Sequence, residues 1–267
     1  MPYANIDGID IYYEIHGEGE PLMLLHHGTG SVKMWKKLLA GFADGYKVIM
    51  YDRRGFGVSG RGEDFHGFYK SDRFIPESVT ELEGLLEYLD IKEKVYLLCQ
   101  CEAGVIGFHY AAKNPEKVKA VAISSTMCCS RAEQSGQPPQ PPKEPPEHRE
   151  PPSLDNAPPQ LREKIIYWQG EDYAPEFFRL FAEGGGAYGP GGAPFDLRDA
   201  CKDVQCPALV LYPDRSRLFD VEQAVMMYHA LPQGELAVLP NCGHNTYDHQ
   251  PENYQRIVLD FFGRHGG

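Results

Sequence analysis

Short, wholly apolar runs alternate with helical patterns along this chain, and that alternation restricts the fold more than any other feature. The runs are 22–26 (LMLLH), 46–51 (YKVIMY), 95–99 (VYLLC), 119–124 (KAVAIS), 207–212 (PALVLY) and 235–239 (ELAVL). Residues 9–15 (IDIYYEI) alternate instead, in the manner of a half-buried strand. Helical patterns occupy 33–43, 76–90, 102–114, 221–231 and 251–264. A strand apolar on both sides must be covered on both faces, so the pattern predicts an α/β fold, a mostly parallel sheet between helix layers.

The alternation fails between Met127 and Cys206. Residues 138–159 hold ten prolines in 22 positions (PPQPPKEPPEHREPPSLDNAPP). Such a segment supports neither a helix interior nor a central strand and reads as polyproline II or irregular loop. Aromatic-rich helical stretches follow at 160–169 and 174–183, then the connector GGGAYGPGGAP. The expected organisation is a core domain of residues 1–127 and 205–267, with 128–204 inserted as a cap.

The formal net charge is −12. An acidic surface repels phosphate backbones and anionic lipids, which argues against nucleic-acid and membrane partners. It also disfavours a highly anionic substrate, although one pocket can differ from the average. No secretory pattern opens the sequence and no apolar run reaches the ~18 residues of a membrane span, so the expectation is a cytoplasmic protein. Seven cysteines without a secretory signal read as free thiols.

One of those thiols stands where chemistry is expected. Leu97-Leu98-Cys99-Gln100-Cys101-Glu102-Ala103-Gly104 carries a strand directly into a helix. A sharp strand–turn–helix around one reactive residue is a nucleophile elbow, and it leaves room only for small residues two positions either side. Cys99 and Ala103 meet that demand, which makes Cys101 the candidate nucleophile. The helix beginning there favours a thiolate. Cys99 reads as a packing residue. No metal-ligand spacing is present and no GxGxxG joins a strand directly to a helix, so neither a metal nor a dinucleotide cofactor is implied.

With this elbow the chain resembles the α/β-hydrolase family over residues 1–127 and 205–265. His27-Gly28-Thr29-Gly30 looks like the family's oxyanion loop, and Asp52-Arg53-Arg54-Gly55-Phe56-Gly57-Val58-Ser59 like its Asp-x-Arg-Gly-x-Gly-x-Ser turn. Asn114-Pro115-Glu116-Lys117-Val118 looks like the turn after the nucleophile helix, and Gly243-His244 like the pair that supplies the base. Most members have serine in the elbow; a cysteine is similar to dienelactone-hydrolase-like members. The resemblance implies His244 as base, able to hold Cys101 as a thiolate–imidazolium pair, and a small-molecule substrate.

The acid departs from the family pattern. Where members read Gly-Asp-x-Asp, this chain reads Pro213-Asp214-Arg215-Ser216, so Ser216 occupies the usual acid position. The expected orienting group is Asp214, with Asp220 as the other nearby carboxylate; the alternative site, Ser125-Thr126, offers none. By the same resemblance the backbone N–H groups of Thr29 and Glu102 form the oxyanion hole. The Glu102 side chain is expected to point to solvent, where a carboxylate suits the first helical turn; the other reading is that it raises the thiol pKa. Phe56, Trp168 and Phe178 are the candidate substrate-binding residues beneath the cap.

The expected function is hydrolysis of an ester, lactone or thioester of a small, mainly apolar acid through a thioester on Cys101. Two other functions fit the same residues. One is a lyase or C–C bond hydrolase on the same fold. The other is a binding or sensing protein with a degenerate triad. The oligomeric state is not legible.

Overall fold

The computed structural model describes residues 2–129, 152–184 and 195–266. Eight strands form one sheet in the order β1-β2-β4-β3-β5-β6-β7-β8. They are β1 Tyr3–Ile6, β2 Ile9–His16, β3 Glu20–Leu25, β4 Tyr46–Tyr51, β5 Val95–Gln100, β6 Val118–Ser124, β7 Ala208–Pro213 and β8 Gly234–Leu239. From β4 to β8 all pairings are parallel, while β2 runs antiparallel to β4 and β1 antiparallel to β2.

Every residue of β5 and β7 is buried, because both lie inside the sheet with helices on each face. Strand β1 was not apparent as an apolar run. It is created by its hairpin: Asp7 and Gly8 both hold positive φ, +50° and +83°, which is the turn that matches strand twist.

The helices are α1 Leu39–Ala43, α2 Phe65–Tyr69, α3 Phe74–Tyr88, α4 Glu102–Lys113, α5 Pro159–Gln169, α6 Ala174–Gly184, α7 Arg198–Asp203, α8 Val221–Ala230, α9 Thr246–His249 and α10 Pro251–Arg264. Helices α3, α4, α7 and α8 pack in a row, and α1 packs with α10. The helix expected over 33–43 is divided into a 3-10 turn, Val32–Trp35, and α1. A tertiary bond sets that division: the Asp52 carboxylate accepts the Val32 N–H at 2.7 Å, and Trp35 is fully buried.

Of the expected insertion, residues 130–151 and 185–194 lie outside the described residues, and with them most of the proline-rich segment and the glycine-rich connector. The described part is α5 and α6, packed on each other. Leu197, Cys201 and Val204 are fully buried, and α7 sits between α4 and α8. Residues 195–204 are therefore continuous with the core layer, although their sequence position groups them with the insertion.

Candidate active site

Cys101 occupies the junction of β5 and α4 with φ +54° and ψ −119°. A non-glycine residue in this region carries strain of roughly 1–3 kcal/mol, held only if its surroundings demand it. Three bonds do so. The Cys101 N–H donates to the Ser124 carbonyl at 2.7 Å, and its carbonyl accepts from the Gly104 N–H and the Thr126 hydroxyl, both at 2.9 Å. A Cβ on Gly104 would meet Thr126 Oγ1 at 2.0 Å, and one on Gly107 would meet Cys99 Sγ at 2.5 Å. The two glycines let α4 lie against the sheet. Cys99 is fully buried there as a packing residue.

His244 follows β8 and is held by the same end of β6. The Ser125 hydroxyl donates to the His244 carbonyl at 2.7 Å, and Ser124 Oγ pairs with Thr246 Oγ1 at 2.7 Å. Ser124, Ser125 and Thr126 thus brace both the nucleophile turn and the base loop. In sequence they were notable only for lacking a carboxylate.

The orienting group differs from the one expected. Ser216 Oγ, not a carboxylate, lies 3.3 Å from His244 Nδ1. The Asp214 carboxylate instead accepts the Cys242 N–H at 2.9 Å, with Arg215 3.9 Å away. Its pKa is lowered by the backbone N–H groups of Cys242 and Asn241. Asp214 belongs to the turn that delivers the base loop and makes no bond to the imidazole.

Ser216 Oγ also accepts the Leu218 and Phe219 N–H groups, each at 3.2 Å. A hydroxyl oxygen has two lone pairs and one hydrogen. With both lone pairs engaged, the hydrogen is left for Nδ1. By this count the neutral imidazole carries its proton on Nε2, the reverse of the tautomer an aspartate would impose. Burial pushes the His244 pKa down to about 4.

The thiol also differs from expectation. Cys101 keeps partial exposure, whereas the other six cysteines are buried. Its sulfur is nevertheless poorly solvated. Burial first, and then the charge of Glu102, push its pKa up to about 12, and the weaker pull of the Glu102 N–H and Arg53 does not reverse this. The surroundings of the sulfur therefore work against the low-pKa thiolate expected at the helix start. No hydrogen bond joins the Cys101 thiol to His244 among the described residues. Both shifts favour the neutral thiol and the neutral imidazole over the ion pair.

Glu102 does not point to solvent. Its side chain is 4% exposed, pairs with Arg53 Nη2 at 2.7 Å and accepts the Tyr69 hydroxyl at 2.8 Å. The reason is the close oxyanion loop: a Cβ on Gly28 would meet Glu102 Oε2 at 2.8 Å. The carboxylate is taken into an ion pair under that loop, and the second reading of Glu102, as a group that raises the thiol pKa, matches its position.

Within the loop, His26 donates from Nδ1 to the His27 carbonyl at 2.8 Å and accepts the Arg53 N–H on Nε2 at 3.0 Å. His27 Nδ1 takes the Thr29 N–H at 3.2 Å, and Nε2 faces the Tyr247 hydroxyl at 2.9 Å. The Thr29 N–H, expected to face an oxyanion, is in this state bonded to its own loop. Burial and then the neighbouring His244 push the His27 pKa down to about 3.

Phe56 is 1% exposed and enclosed by His26, Phe65, Tyr69 and Phe177, so it packs cap against core. Trp168 is also buried and sets its edge on the His27 ring with centroids 4.9 Å apart. Phe178 is half-buried against the core.

Gln169 lies at the end of α5, within no motif of the sequence. Its amide nitrogen donates to the Thr29 carbonyl at 2.9 Å and the Gly30 carbonyl at 3.1 Å, while its oxygen accepts the Gly57 N–H at 2.7 Å. One buried amide therefore ties the cap to both the oxyanion loop and the glycine-rich turn. A glutamine at a helix end carries no signal of such a role, since its partners are backbone atoms more than a hundred residues away.

Comparison with known proteins agrees with this architecture. A chain stretch of 124 residues is 30% identical to cis-3-alkyl-4-alkyloxetan-2-one decarboxylase of Shewanella oneidensis, covering 46% of this chain and 38% of that protein. A stretch of 133 residues is 36% identical to a proline iminopeptidase of Lactobacillus helveticus, covering 48% and 42%. The matches thus span about two fifths of those relatives' own length. The crystal structure of an enol-lactonase from Burkholderia xenovorans superposes with a TM-score of 0.72 at 19% identity, over 98% of this chain and all of that one. At such identity the likeness concerns the fold. The family model described as alpha/beta hydrolase fold matches residues 20–178, more than half of the sequence, and the chain belongs to that family.

Proposed function

We propose that this protein is a cysteine-dependent hydrolase of an ester, lactone or thioester. The observation that supports this most is the strained backbone of Cys101 at +54°, −119°, braced by three bonds at the start of α4. Strain of this kind is maintained where a side chain must be presented.

In the proposed reaction Cys101 Sγ bonds to the substrate carbonyl carbon, and the thiol proton passes to His244 Nε2. For Nε2 to accept it, Nδ1 must carry a proton and donate to Ser216 Oγ. The hydroxyl can take that bond by releasing one of its two 3.2 Å backbone donors. The loss is about 1 kcal/mol, a modest burden compared with a wrong tautomer that cannot be changed. The Glu102 N–H and the Thr29 N–H, the latter freed from its 3.2 Å bond to His27, receive the oxyanion. The carbon–oxygen or carbon–sulfur bond of the leaving group then breaks, and His244 returns the proton to it. Water adds to the thioester through His244, the carbon–sulfur bond breaks, and the thiol is restored.

Intact-protein mass spectrometry with a panel of short acyl esters and thioesters tests this. The expected result is a transient adduct of one acyl group on Cys101, with turnover lost in Cys101→Ala. Turnover unchanged in Cys101→Ala would overturn it. Ser216 on Nδ1 favours one other reading, a binding protein without turnover. Its mark would be a stoichiometric adduct that is never released.

A further inference from the structure

A groove of about 240 Å³ lies at the seam of α5, the 3-10 turn and α9, lined by Lys33, Lys36, Lys37, Lys164, Tyr167 and Trp168, with Met34, Tyr247 and Asp248. Four lysines and one aspartate among its lining residues carry a formal charge of +3, on a chain whose net charge is −12. Such a reversal within one concave surface focuses potential on a small volume.

Three of the ammonium groups are held in place. Lys33 donates to the Tyr167 carbonyl at 2.7 Å, and Lys37 and Lys164 share Asp248, each at 2.9 Å. Lys36 has no ion-pair partner among the described residues and is exposed. The Tyr167 ring is half exposed beside them, with Lys33 Nζ 5.5 Å from its centroid. The groove also shares walls with the candidate active site. Trp168 rests on His27, and the Tyr247 hydroxyl meets His27 Nε2.

We infer that this groove binds an organic phosphate, and that it is placed to take the phosphorylated, ring-bearing thiol half of a thioester substrate. Lysines act as point charges suited to phosphate, whereas a lone carboxylate would be better met by one arginine fork. A charge of +3 matches a di- or bisphosphate. The exposed tyrosine supplies a stacking face for a planar ring. The volume, below the roughly 300–1,000 Å³ of sites that enclose a whole drug-sized ligand, suits one ring with its phosphates. The assignment to a substrate rests on the hydrolase reading; the binding site itself does not.

Two measurements separate these parts. In the first, ADP is titrated calorimetrically into the Cys101→Ala protein. The expected result is submillimolar binding that weakens several-fold between about 50 and 200 mM salt. Lys36→Glu should weaken it at least tenfold and Tyr167→Ala less, while adenosine and inorganic phosphate bind worse than ADP. No binding of ADP, or binding indifferent to Lys36→Glu, overturns the inference. In the second, the same acyl group is offered as its coenzyme A thioester and as its N-acetylcysteamine thioester. A higher kcat/KM for the former that Lys36→Glu erases supports the substrate assignment. Equal kcat/KM for both overturns that assignment and leaves the hydrolase reading standing. ADP binding as expected with neither thioester turned over supports the groove and counts against the hydrolase.

Discussion

Ser216 Oγ lies 3.3 Å from His244 Nδ1 and accepts two backbone N–H groups, so a hydroxyl stands where a carboxylate would fix the ring. A carboxylate only accepts, and it dictates one tautomer. A hydroxyl can donate or accept, and here the backbone bonds turn it into a donor. Nothing in this arrangement raises the basicity of the imidazole, and burial holds its pKa near 4.

Ser216→Asp should therefore raise kcat/KM, by about 10–100-fold. That is well below the ~10⁴-fold seen when a serine triad has the wrong tautomer, because a thiol needs less help from its base. The pH profile should move too. With His244 neutral above about 4, the acid limb of the native protein should fall near that pH. A carboxylate beside the ring favours the imidazolium, so the variant's limb should shift upward. An unmoved limb would show that residue 216 does not govern the imidazole.

Asp214→Asn should change kcat/KM by less than about threefold, because the carboxylate bonds the Cys242 N–H and not the ring. The variant should melt at a lower temperature, since its turn loses a charge-assisted bond. A large fall in kcat with unchanged melting would return Asp214 to the catalytic machinery.

Iodoacetamide should label Cys101 before the other six cysteines, all of which are buried. The labelling should be slow at neutral pH. With the thiol pKa pushed up to about 12, the rate should climb through pH 9 without a plateau. Peptide mapping against time checks this. A plateau near pH 7 would mean a stabilised thiolate, contrary to the burial and the Glu102 charge around it.

Gln169→Glu should reduce kcat more than Gln169→Ala does. The alanine loses three bonds to the oxyanion loop and the glycine-rich turn. The glutamate keeps an acceptor for the Gly57 N–H but turns an oxygen toward the Thr29 and Gly30 carbonyls, where two acceptors repel. We expect a loss of roughly tenfold in kcat for alanine, about 1.4 kcal/mol in the barrier. A glutamate variant with native kcat and melting temperature would remove Gln169 from the positioning of the loop.

The sequence by itself determined the sheet, because both-face burial writes itself as continuous apolar runs at β3 to β7, and it determined the elbow, because a strand that turns sharply into a helix tolerates only residues such as Cys99 and Ala103. These are local constraints, repeated within a few positions. The orienting group of His244, the burial of Glu102 and the reach of Gln169 were decided by the tertiary structure. Asp214 and Ser216 are two residues apart, and only the path of the chain after β7 sets which side chain meets the imidazole and which meets Cys242. Glu102 looks like an ordinary first-turn carboxylate until Arg53 and Tyr69, 49 and 33 residues away, close over it. The ionisation of Cys101 followed from that closure. A helix start favours a thiolate, but the desolvation and the neighbouring carboxylate that oppose it exist only once the distant segments have packed around the sulfur.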